Sequence, residues 1–179
     1  MSILTPSYFT QGEIEIPNAV SGNAGEGINA DLQAIIDKYE RELLLMALGY
    51  DQYTTLQAEL LKEPFVSGAG STAAQEWIDL VNGKDEWKGL KRILGDFIYC
   101  MYLRFDEITY TTTGAGKANV QNHTVVDYNQ KYVERWNELV YWWQEGYEED
   151  TSLREFLSET SGLSADKFHY FKYENSFGL

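Results

Sequence analysis

One cysteine in 179 residues, Cys100, rules out an internal disulfide. A chain of this length needs none, because a compact domain of its size buries roughly 70% of the surface its unfolded form exposes. Two histidines, His123 and His169, have no Cys, Asp or Glu at a helical ligand spacing, so no zinc motif is recognisable and both read as loop residues. Long apolar runs are missing as well. The longest, Phe97 to Leu103, is far shorter than the roughly 20 residues a membrane helix requires. No basic segment followed by an apolar one marks the N-terminus, so the expectation is a soluble chain without an export signal. Basic residues are scarce, 14 against 28 acids, and the net charge of -14 argues against an outer surface that clings to nucleic acid or anionic lipid.

The motifs that would announce catalysis fail on spacing. Thr113-Gly-Ala-Gly-Lys117 invites a phosphate-loop reading, but Thr111 stands where the first glycine belongs and Ala118 where a Ser or Thr must follow the lysine. Gly68-Ala-Gly70 has no strand before it and no three-glycine fingerprint after it. Glu148-Glu149-Asp150 lacks the interspersed glycine of a calcium loop and reads as a solvated helix end. Asp37 and Glu40 share a helix face beside Lys38 and Arg41, the pattern of surface pairing. Cys100 reads as a buried thiol acting as a small hydrophobe. The expectation is a protein that is not an enzyme, with no catalytic residue, cofactor or metal.

What the chain has in quantity is helical periodicity. From Trp87 to Phe105 the apolar residues Leu90, Ile93, Leu94, Phe97, Ile98, Met101 and Phe105 recur at spacings of three and four. Tyr99, Cys100, Tyr102 and Leu103 fill the other faces of the second half. A helix apolar all round must be surrounded, by its own domain or by another chain. A first helix opens near Asn29 and runs to a left-handed stop at Gly49. A second, capped by Asp51, runs through Leu61, and the two read as antiparallel neighbours. Thr72-Ala-Ala-Gln75 has capping-box spacing for a short helix ending at Asn82-Gly83, and Ser152-Leu-Arg-Glu155 opens another. Between them, Thr124 to Asp127 caps a long helix whose stripe includes Tyr132, Trp136, Leu139, Val140 and Trp143.

The fold class is therefore mainly α: a helical bundle of two to three long and several short helices with extended N- and C-terminal arms. Residues 1–28 form the N-terminal arm, 29–160 the bundle with a Thr-rich loop at 108–123 inserted, and 161–179 an aromatic C-terminal arm. Ile14 and Ile16 alternate with Glu13 and Glu15 as in a short half-buried strand. The Thr-rich stretch is either an extended loop or one strand of a small β-hairpin, with residues 13–16 its candidate partner.

Aromatic and β-branched residues on the arms and loop are the candidate subunit contacts: Tyr8, Phe9, Ile14 and Ile16 at the start, Tyr110 and Thr112 in the loop, and Phe168, Tyr170, Phe171, Tyr173 and Phe177 at the end. Tyr141 and Trp142 lie off the buried stripe, where either a partner or the tail covers them. Lys84, Lys88, Lys91 and Arg92 crowd one stretch, and Glu148, Glu149 and Asp150 sit in an acidic one. The two are candidates for charge-complementary contact between copies, with solvated faces as the alternative.

A set of short motifs along nearly the whole chain resembles the head-to-tail connector (neck or adaptor ring) proteins of tailed bacteriophages, of the crAss-like and related kind. They are Tyr8-Phe9 with Gly12 and Ile14-Glu-Ile-Pro17, Leu43-Leu44 with Leu48-Gly49, Trp77 with Leu80-Val-Asn-Gly83, Gly89-Leu90 leading to Phe97-Ile-Tyr99, Thr112-Thr-Gly114, Trp136-Asn137 and Asn175-Ser-Phe-Gly178. The resemblance implies a structural subunit made in the host cytoplasm and placed in the virion neck. There it would close into a ring, commonly of twelve copies, against the portal protein and neighbouring neck or tail proteins. DNA would pass through without specific binding, and no membrane would be involved. A transient assembly adaptor or chaperone is the alternative of a different class.

Overall fold

The computed structural model describes residues 2–16, 19, 25–106, 109–111, 114–116, 128–146 and 150–175. Five helices carry the fold: α1 (Gly25–Glu59), α2 (Gln75–Asn82), α3 (Leu90–Asp106), α4 (Tyr128–Gln144) and α5 (Leu153–Glu159). A 3-10 turn at Pro6–Phe9 precedes them. Two three-residue strands, β1 (Thr109–Thr111) and β2 (Gly114–Gly116), pair antiparallel with Tyr110 opposite Ala115.

The helix apolar on all faces is the hub. Every residue of α3 from Ile93 to Met101 is buried, and α3 packs on α1, α2 and α4. Its burial therefore comes from its own chain. Cys100 is inert there, since burial pushes its thiol pKa up and its Sγ lies 4.0 Å from the Tyr132 carbonyl oxygen.

Gly49 breaks the helical backbone of α1 with φ 69. A Cβ at that position would come within 2.9 Å of the Lys167 side chain, so both conformation and space call for glycine. The two segments meet there at a sharp kink, and Asp37, Glu40, Arg41 and Leu44 before it line one cleft with Tyr53 and Gln57 after it, so the second segment folds back along the first. Of the carbonyls left over in the last turn before the kink, that of Met46 accepts the N–H of His169 at 2.9 Å.

Two caps differ in outcome. Ser152 Oγ accepts the Glu155 N–H at 3.2 Å, as its spacing predicts. Thr72 does not cap α2: the helix begins two residues later, with Ala74 at its N-cap. There the Glu59 carboxylate, from the end of α1, accepts the Ala74 N–H at 2.9 Å. A carboxylate delivered by tertiary contact thus replaces a local hydroxyl.

Residues 13–16 are not a strand; they turn back so that the Ile16 N–H reaches the Phe9 carbonyl at 2.9 Å. β1 pairs with β2, not with them. No helix among the described residues is long and apolar enough to cross a membrane.

Candidate functional site

Both arms fold back on the body. At the N-terminal end Leu4, Phe9 and Ile16 are within the core and Ile14 is half-buried. Phe9 and Ile16, expected to contact another subunit, are thus already covered by their own chain. Tyr8 keeps 37% of its surface exposed. Its ring lies so close over Gly95 of α3 that a Cβ there would come 2.6 Å from the ring edge and 3.0 Å from Ile14 Cδ1.

Glu40 ties this segment to α1. Its carboxylate accepts the N–H of Ile3 at 2.7 Å and of Leu4 at 3.1 Å, and only 3% of the residue is exposed. This corrects the surface-pairing expectation. Position 40 stands four residues after Ile36 and three and four before Leu43 and Leu44, an acid on the core stripe. Burial raises its pKa, and the two N–H bonds work against that rise. Glu40→Ala should cost about 1–3 kcal/mol by orphaning two part-buried donors. The measurement is urea denaturation with amide exchange; unchanged protection at Ile3 and Leu4 would show that these N–H groups have other acceptors.

The C-terminal arm is a strap held by α4. Phe168 is buried and Phe171 half-buried. The Trp143 ring lies 4.7 Å from Phe168 and 5.0 Å from Phe171, centroid to centroid. Phe171 also meets Trp136 at 5.3 Å. Main-chain groups of the strap are bonded by side chains of the body: Trp143 Nε1 donates to the His169 carbonyl at 2.7 Å and Trp136 Nε1 to that of Lys172 at 2.8 Å. Asn137 makes a pair of hydrogen bonds to the main chain of Glu174, its Nδ2 donating to the carbonyl and its Oδ1 accepting the N–H, both at 2.8 Å. Gln52 of α1 does the same for Ser164, at 2.8 and 3.0 Å. Tyr170 stays 62% exposed beside Arg154, and Tyr173 46% exposed.

Trp142 is buried, its ring 4.5 Å from the Arg92 guanidinium, while Tyr141 is half-buried. The basic cluster is likewise satisfied at home. Lys84 pairs with Asp79 at 3.3 Å, Lys88 with Asp150 at 2.7 Å and Arg92 with Glu138, and Lys91 bonds the Asn82 side chain at 3.3 Å. Lys88 and Asp150 were expected to meet across copies; the fold instead places them side by side in one chain. Such pairs are half-solvated and contribute little stability, though they cancel charge locally. Thr112, Glu148, Glu149 and Phe177 lie outside the described residues, and Tyr110 is described through its backbone alone.

No protein family, curated protein or solved structure matches this chain. The chemistry available is therefore read from the geometry. An open cleft of 340 Å³ runs over Ser2, Asp37, Glu40 and Tyr53, but its one buried carboxylate, Glu40, is already taken by the Ile3 and Leu4 N–H groups.

A second buried acid, Asp96 on α3, is 4% exposed. Burial, aided by Glu138, pushes its pKa up to about 7, while Arg135 and Arg92 oppose the rise. Those arginines are engaged elsewhere: Arg135 pairs with Glu13 at 2.6 Å and Glu138 at 2.8 Å, and Arg92 also pairs with Glu138. Sequence reasoning passed over Asp96, Gln52 and Gln144, whose Oε1 accepts the Phe171 N–H, and quoted Asn137 only within a motif, with no clamp role. The signals were present: an acid three residues after Ile93 and four before Cys100, and an amide after each stripe tryptophan, Trp136-Asn137 and Trp143-Gln144. Tyr50 and Leu61, 72% and 60% exposed, are further apolar surface the pattern did not single out.

Proposed function

We propose that the chain is a structural, non-enzymatic subunit of the connector ring joining portal to tail in a tailed phage, forming part of the channel through which DNA passes. The observation that carries this reading is the reach of the resemblance, from Tyr8-Phe9 to Asn175-Ser-Phe-Gly178. Its pieces coincide with positions that determine the fold. Phe9, Trp77 and Phe97 are core residues, Gly49 makes the kink in α1, and Trp136 and Asn137 hold the strap. The charge balance also supports it. At net -14, with Lys84, Lys88 and Arg92 paired to acids of the same chain, the surface offers few of the contacts that hold a duplex by counterion release.

Mass spectrometry should find the chain in purified virions of the phage that encodes it, and electron microscopy of the neck or the purified protein should show closed rings. Presence during assembly but absence from the virion would make it a transient adaptor instead. A chain that stays monomeric at every concentration and is absent from both would end the reading.

A further inference from the structure

The contact between α4 and the strap repeats. Trp136-Asn137 recurs seven residues later as Trp143-Gln144. Trp136 bonds the Lys172 carbonyl and Trp143 that of His169; Asn137 bonds the Glu174 N–H, and Gln144 Oε1 accepts that of Phe171 at 3.0 Å. For tryptophan and amide alike, seven residues forward on the helix correspond to three residues back on the strap. Seven helical residues rise about 10.5 Å, and three residues of extended chain cover about 10 Å. The two periods match only if the strap is extended and antiparallel to α4. The helix thus reads main chain at a fixed interval, as a sheet edge reads a peptide, and side-chain selectivity comes mainly from Phe168 and Phe171.

We infer that this face, closed at its far end by Gln52, is a peptide-docking groove, and that it accepts residues 163–174 of a second copy in place of its own strap. Everything the groove recognises is supplied identically by another copy: main-chain N–H and C=O groups at the right interval and two phenyl rings. The strap makes few bonds to itself, Phe168 N–H to the Ala165 carbonyl at 3.0 Å among them, so its order comes from the groove. It joins the body through Ser161 and Gly162, both exposed, a connection that can redirect without uncovering core. Exchange of an identical element between copies carries little enthalpic cost. In dilute solution the tethered strap wins by its local concentration, of millimolar order; copies held side by side lose that bias. The inference stands on the groove and does not rest on the ring reading, which survives if exchange fails.

The test is binding of a fluorescently labelled peptide of residues 161–175 to the full chain, read by anisotropy. Weakening the resident strap with Phe168→Ala and Phe171→Ala should raise capture of the peptide at least tenfold over the native chain. Adding Asn137→Ala and Gln144→Ala to that chain should abolish the gain. Should the strap-weakened chain not fold by circular dichroism, a chain that keeps Phe168 and Phe171 and is cut by protease at a site engineered between Ser161 and Gly162 takes its place; there the peptide should displace the severed strap. No saturable binding to the folded weakened or cut chain, or equal binding of a scrambled peptide, overturns the inference.

Discussion

Trp143→Ala should lower the melting temperature by roughly 6–20 °C, on a loss of about 3–5 kcal/mol for truncating a buried large aromatic and about 2–4 °C per kcal/mol for a domain of this size. Three effects combine at this residue. Its side chain is fully buried, its ring supports both Phe168 and Phe171, and its Nε1–H holds the His169 carbonyl. The last can be separated from the others, because Trp143→Phe keeps an aromatic ring and removes the donor. That variant should lose about 1–3 kcal/mol from the unpaired carbonyl and the smaller ring. Tyr170→Ala, at an exposed site two residues from Phe168, should stay within about 0.5 kcal/mol of the native chain. Thermal and urea denaturation followed by circular dichroism distinguish the three. If Trp143→Ala melts with the native chain, the strap is off the body in solution and the aromatic cluster contributes nothing.

The difference between those tryptophan and tyrosine variants also marks where sequence reading succeeds. The hub helix is legible because its signal is internal: an apolar circumference from Phe97 to Met101 requires neighbours on every side, wherever they come from. Gly49 and Ser152 are legible for the same reason, since stop and cap chemistry act within a few residues. The strap has no period of its own. Its burial is decided by α4, in a register that appears only when helix rise is compared with extended-chain rise. Charge behaves likewise: the spacing of Lys88 and Asp150 along the chain gives no hint that they end 2.7 Å apart, and Glu40 looks like a surface partner of Arg41 until the N-terminal segment brings its N–H groups over it. Local sequence carries periodicity and caps, while pairings across dozens of residues are set by the tertiary fold.

Asp96→Asn should stabilise the protein above pH 7 by up to about 4 kcal/mol and leave it nearly unchanged near pH 4. The sign follows from proton counting. In the unfolded chain Asp96 titrates near 3.8, and in the folded chain burial moves it to about 7. Between those values the folded state holds a proton that the unfolded state has released, so stability falls as pH rises, and above the folded pKa the full penalty of a buried charge is present. Three pKa units at about 1.4 kcal/mol each set the upper limit. Two arginines stand close enough to oppose this, yet each is already committed: Arg135 bridges Glu13 and Glu138, and Arg92 shares Glu138 while lying against Trp142. An ionised Asp96 would be a third carboxylate competing for two cations where the N-terminal segment, α3 and α4 meet. Asparagine has the same shape without the charge, so the difference between variant and native chain isolates this group from the other carboxylates. Urea denaturation at pH 4.5, 6 and 8 reads it directly. A difference that does not grow between pH 4.5 and 8 would mean that Asp96 is ionised throughout, with the arginines or water compensating its charge.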